Sequence, residues 1–153
     1  MDAERRIMEL SLDLPPAFKA TGVFRPLIVS GGLVFIAGHG PLLPNGKMII
    51  GRIGAELDIE AGSKAARQTG LSILATLKEG LGNLTRVHRL VKTLVMVNCV
   101  PEFTNHPQVA DGFSKLFADV FGEDRGVGAR SAGGMSSLPR GIPIEIEAIV
   151  EIE

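Results

Sequence analysis

The chain has 153 residues, with 16 Lys and Arg against 17 Asp and Glu, a formal net charge of −1, and 45% hydrophobic residues. That length suits a single domain able to bury a core without covalent staples. The charge balance argues against a nucleic-acid binder, which needs clustered Lys and Arg to meet phosphates. A single cysteine, Cys99, excludes an intrachain disulfide. No apolar run reaches signal-peptide or membrane-span length, so a cytoplasmic location without a membrane partner is expected.

Residues 1–21 read as an N-terminal arm: a short charged segment, then Leu12, Leu14 and Phe18 around Pro15-Pro16, which stops a helix because proline lacks a backbone N–H. Residues 22–153 read as one domain. Phe24 to Ser30 reads as an edge strand because of Pro26. Gly31-Gly32 is a turn signal, and Leu33-Val34-Phe35-Ile36-Ala37 is an apolar run of central-strand length. Gly38-His39-Gly40-Pro41 ends it, with glycines that allow a close backbone approach.

A long connection over 42–57 follows, of a length that often serves function. Asp58 reads as the N-cap of a helix over about 58–80, where Ala66, Gly70, Ile73, Leu74, Leu77 and Leu81 recur at three- and four-residue spacing. Gly80 and Gly82 stop it. Leu90 to Asn98 is the next strand, with apolar residues on both faces. Asn105 is the expected cap of a second helix striped by Val109, Phe113, Leu116, Phe117 and Val120, and Gly122 ends it. Two strands close the chain. The first carries Arg130 among small residues. In the second, Ile144, Ile146, Ala148, Val150 and Ile152 alternate with Glu145, Glu147, Glu151 and Glu153 to either side of Ile149, the mark of a half-buried strand.

The order β-β-α-β-α-β-β implies an α+β fold, a mixed sheet with two helices packed on one face. No element is left to cover the other face, so association with further copies through that face is expected.

This order, together with Gly38-His39-Gly40-Pro41, Ala66-Arg67-Gln68, Val91-Lys92-Thr93, Ala129-Arg130-Ser131, Leu138-Pro139 and Ile144-Glu145-Ile146-Glu147-Ala148, resembles the RidA/YjgF family from about Gly22 to Ile152. The resemblance implies a chorismate-mutase-like fold, a homotrimer, and sites in the clefts between subunits. The activity it implies is hydrolysis of reactive enamine and imine carboxylates, such as 2-aminoacrylate, to 2-keto acids and ammonia. Older labels of the family are endoribonuclease and translation inhibitor. By resemblance, Arg130 clamps the substrate carboxylate, Glu145 holds a water, Phe24 lines the site where a tyrosine is common, and Gly38 supplies backbone contacts. The sequence departs from the pattern in longer loops before the first helix and before Arg130, and at four side chains. Phe24 lacks a hydroxyl, Ala132 replaces a cysteine, Ala110 stands where an asparagine is common, and His39 where a glutamine is common.

The residues themselves fit that chemistry. A guanidinium fork matches a carboxylate bidentately. Hydrolysing an imine then needs an exposed carbon, a placed water and a carboxyl group to move protons. No cofactor and no metal is required, and the three histidines and one cysteine show no ligand spacing. His39 and Ala132 are expected to touch the substrate. The plainer alternatives are an Arg130 that only pairs with a carboxylate at a subunit interface, and a solvated acidic face for Glu147, Glu151 and Glu153. A non-catalytic binder of 2-keto acids is the second functional reading, and an endoribonuclease the third. Cys99 reads as a small buried residue with no base beside it in sequence.

Overall fold

A computed structural model describes residues 2–153. Its elements in chain order are α1 (Ala3–Glu9), β1 (Leu27–Ser30), β2 (Leu33–His39), α2 (Ile59–Leu81), β3 (Val87–Asn98), α3 (His106–Phe121), α4 (Glu123–Gly126), β4 (Ala129–Met135) and β5 (Ile144–Ile152). The five strands form one mixed sheet in the order β1-β2-β5-β3-β4, antiparallel except for the parallel β3–β4 pair. The expected α+β architecture is therefore the observed one.

Helices α2 and α3 cover one face. Asp58 caps α2 by accepting the Ala61 N–H at 2.8 Å, and Gly82 ends it at φ 83°. Buried Ile73, Leu74 and Leu77 from α2 and Phe113, Leu116 and Phe117 from α3 meet Val34, Val95, Ile144 and Ile146 of the sheet. Each such side chain contributes roughly 1.5–3 kcal/mol by leaving water. The two helices touch nearly backbone to backbone: a Cβ on Gly112 would run into the carbonyl oxygen of Ser63. The alternation in β5 is as expected. Ile144, Ile146, Ala148 and Val150 are buried under the helices, and Glu145, Glu147 and Glu151 lie on the other side.

That other face is open. Ile28, Val29 and Phe35 are each more than 40% exposed on it or at its edge. A shallow cavity of about 380 Å³ lies across it, between Phe35, Lys92, Leu94, Ser131, Glu147 and Ile149.

Four local expectations change. The first strand begins at Leu27 rather than Phe24, because the chain before it bends through Pro26, whose carbonyl still accepts the Ala37 N–H at 2.9 Å. The third begins earlier, at Val87. Asn105 sits at the cap position of α3 but its side chain makes no capping bond. The arm contains a helix: Asp2 caps α1, Ala3 and Ile7 are buried, Glu4 pairs with Lys78 at 3.0 Å, and Arg6 donates to the Asp119 carbonyl at 3.0 Å. No helix among the described residues is long and apolar enough to cross a membrane.

Candidate active site

Glu145 sits near the start of β5, opposite Met96 of β3 and beside Gly38 of β2. The approach to Gly38 is very close: a Cβ there would stand 2.6 Å from Glu145 Oε2. Glycine leaves the carboxyl group this place, and a methyl would push the side chain aside. The register of β2 on β5 shifts between Ile36 and His39. These residues are three apart and would face opposite sides in a regular strand. Both are buried, so the irregularity turns His39 inward and leaves Gly38 against Glu145, a re-aiming typical of a bulge.

A cavity of about 210 Å³ opens over this point. It is walled by Phe18 and Thr21 of the arm, Phe24, Gly38, Gly40, Met48 of the long connection, Pro139, Arg140, Ile142 and Glu145. The rings of Phe18 and Phe24 stack with centroids 6.1 Å apart. Burial, with the neighbouring charge of Glu147 as the smaller cause, pushes the Glu145 carboxyl above the usual carboxylate range. A carboxyl so placed can exchange protons closer to neutrality than an exposed one.

Among the residues singled out from sequence, Glu145, Phe24 and Gly38 share this cavity. Arg130, Ala132 and His39 do not line it. Arg130 lies opposite Thr93 on β3, three residues before Met96, which puts it on the helix-covered face of the sheet. There its Nη1 donates to Asp111 Oδ1 at 2.9 Å and to Ser114 Oγ at 3.0 Å, and Nη2 donates to the Pro107 carbonyl at 3.4 Å. Ala132 follows on the same side and packs against the core. Within one chain, then, the arginine and the glutamate occupy opposite faces.

His39 is 1% exposed. Its Nδ1 donates to the Ala37 carbonyl at 2.6 Å, which leaves Nε2 to accept the Thr76 hydroxyl at 2.8 Å. Burial holds its pKa below the ordinary value, so the ring is neutral. Both nitrogens are thus taken up by the protein, and the ring supports Phe18 at a centroid distance of 5.1 Å.

Several residues of the cavity escaped the sequence reading. Phe18 and Thr21 come from the arm, and Met48 from the connection. Arg140 lies in the turn just before β5, where a cation entering the strand that carries Glu145 was the available signal. Cys99 is buried, as expected, and folding adds a neighbour that local sequence does not show, with His106 Nε2 at 3.5 Å from its Sγ. Burial still pushes that thiol up, away from the reactive thiolate.

Residues 4–137 match the family model described as "YjgF/chorismate_mutase-like, putative endoribonuclease". The chain belongs to this family. It is similar to Protein TCP17 of Trypanosoma cruzi, 36% identical over 146 residues, which are 95% of this chain and 91% of that protein. The fold superposes with a TM-score of 0.90 on Atu1372 of Agrobacterium tumefaciens, a protein described as having unknown function. The two are 38% identical, over 99% of this chain and 92% of the other. A structure from Shewanella oneidensis, described as a "putative endoribonuclease", superposes with a TM-score of 0.94 at 25% identity, over 99% of this chain and all of the other.

Proposed function

We propose that the protein hydrolyses small reactive imine or enamine carboxylates to 2-keto acids and ammonia, at sites completed between copies of the chain in the cytoplasm. The observation that carries this reading is the Glu145 carboxyl, set in an apolar-walled cavity against Gly38 with its pKa raised. Water attacks the carbon of the protonated imine while Glu145 takes one proton of the water, which gives the neutral carbinolamine. Glu145 then returns that proton to the nitrogen, the C–N bond breaks, and the hydroxyl proton passes to the departing ammonia as the keto group forms. Imine and water are consumed, keto acid and ammonia are released, and the carboxyl group ends as it began.

The substrate carboxylate needs a cation. Arg130 of the same chain is on the far face, so in this reading the fork comes from a neighbouring copy, as a homotrimer with clefts between subunits would supply it. The exposed apolar residues on the open face, Ile28 and Phe35, favour such an association.

The test is incubation with enzymatically generated 2-aminoacrylate. Pyruvate release should outpace buffer, and Glu145→Gln should slow it by about 10²–10⁴-fold, the usual worth of a general acid–base group. Release no faster than buffer sinks the reading.

A second reading is a binder of 2-keto acids without turnover. Phe24 in the cavity wall favours it, because its ring carries no hydroxyl to assist a reacting group. Binding of 2-keto acids with no activity on a panel of imines would decide for it. The endoribonuclease reading rests on family descriptions, and the near-neutral charge of the chain speaks against it.

A further inference from the structure

We propose that Arg140 is a second anion-binding residue of the Glu145 cavity, and that it selects ligands with a second carboxylate. This rests on the reading above, in which the cavity takes a small carboxylate. It adds a substrate class: 2-imino acids whose side chain ends in an acid, and their 2-keto diacid products.

Four observations support it. First, Arg140 and Glu145 line the same cavity, while Arg130 lies on the other face of the sheet. Second, the two arginines differ in what they already hold. Arg130 is paired with Asp111, whereas among the described residues Arg140 makes no ion pair. Its recorded side-chain bond is from Nη2 to the Thr21 hydroxyl at 3.1 Å. Its capacity for a bidentate carboxylate is therefore unspent.

Third, its backbone is in the left-handed region, at φ 59° and ψ 13°, which costs a residue with a Cβ free energy. The turn is held there by bonds from Gly141 N–H to the Leu138 carbonyl at 3.1 Å and from Gly51 N–H to the Gly141 carbonyl at 3.0 Å. A glycine would sit there without strain, yet the position carries a long cation turned to the cavity. Fourth, the other walls are largely apolar, with Phe18, Phe24, Met48 and Ile142. Apolar walls strengthen a charge–charge contact by excluding water. The carboxyl of Glu145, held toward its neutral form, competes weakly for the guanidinium.

With one cation taking the carboxylate next to the imine, Arg140 is placed for the far end of the ligand. Monoacids would leave it in water and gain nothing from it.

The experiment is calorimetric titration of the full-length protein with 2-oxoglutarate and with 2-oxovalerate, which match in chain length and differ in the terminal carboxylate. Wild type should bind the diacid about 10- to 100-fold more tightly, the span of a charge-assisted hydrogen bond expressed as affinity. Arg140→Gly, which suits the left-handed backbone and should fold, ought to lower diacid affinity by that factor and so bring the two acids to the same level. Arg140→Lys should restore part of the preference. Equal affinity of wild type for both acids, or equal weakening of both in Arg140→Gly, overturns the proposal while leaving the carboxylate site standing. Absence of binding by either acid overturns both. Diacid-selective binding without imine hydrolysis upholds Arg140 and removes the catalytic reading alone.

Discussion

Arg130 on β4 and Arg140 in the turn between β4 and β5 are ten residues apart, yet they live under different conditions. Arg130 lies on the side of the sheet that the helices cover and is bound to Asp111 and Ser114. Arg140 stands at the rim of a cavity on the open side, held among the described residues by a hydroxyl. The same contrast runs through the two faces. Under α2 and α3 the residues interlock, and Phe113, Phe117, Leu74 and Ile146 are fully buried. On the open side the chain keeps charged groups, exposed rings and empty volume. One face is arranged to hold the fold together, and the other leaves groups free to meet something else.

That contrast can be broken from either side. The largest effect is expected on the helix side. In Gly112→Ala the new methyl meets the Ser63 carbonyl, and the two helices must separate. A loss of about 3 kcal/mol follows from such overpacking, read as a fall in Tm of about 10 °C in a domain of this size. A melting curve that does not move would mean that the helices are not in close contact.

Gly38→Ala is expected to do the reverse. The methyl displaces the Glu145 carboxyl, the far end of a flexible side chain with an open cavity to move into, so Tm should shift little. Turnover on 2-aminoacrylate should fall about 100-fold, as a misplacement of about 1 Å does. A large drop in Tm, or unaltered turnover, would blur the division between the faces.

The smallest effect sharpens the site itself. Glu145 works as a base when ionised, and its pKa is raised, so the rising limb of kcat/KM against pH should lie above the ordinary Glu value of about 4.3. Glu147→Gln removes the lesser cause of that rise. The limb should move to lower pH but remain above the ordinary value, since burial persists. A limb that stays in place would show that Glu147 is not felt at Glu145.

The sheet and its two main helices were legible in the sequence because each is written in short-range periodicity. The alternation of Ile144 to Val150 and the helical stripe of Val109 to Val120 need no partner to be recognised. Glu145 and Gly38 were legible through a family resemblance, but the reason for the glycine was not. It lies in a register shift that sets two distant strands at one spacing. His39 was misread because a polar residue between glycines suggests a rim, whereas the same shift turns it under Thr76. Arg140 was overlooked because the left-handed backbone that aims it has no sequence mark beyond Gly141. Phe18 and Thr21 belong to an arm with no periodicity at all, and only folding shows where they land.

The origin of those walls bears on when the cavity comes to exist. The bond from Arg140 to Thr21 joins positions 119 apart in the chain, and the one from Arg6 to Asp119 joins positions 113 apart. β5, which carries Glu145, is the final strand and pairs with β2 from the first third of the sequence. Contacts of such separation are the slowest to form, because the loop must close before they reward it. During synthesis the cavity cannot form until β5 has emerged and met β2, and Arg140 has met the arm. A ligand of this cavity therefore distinguishes folded chains from partly folded ones. By mass action it stabilises the folded ones alone, so a ligand of the cavity would also act as a clasp on newly folded protein.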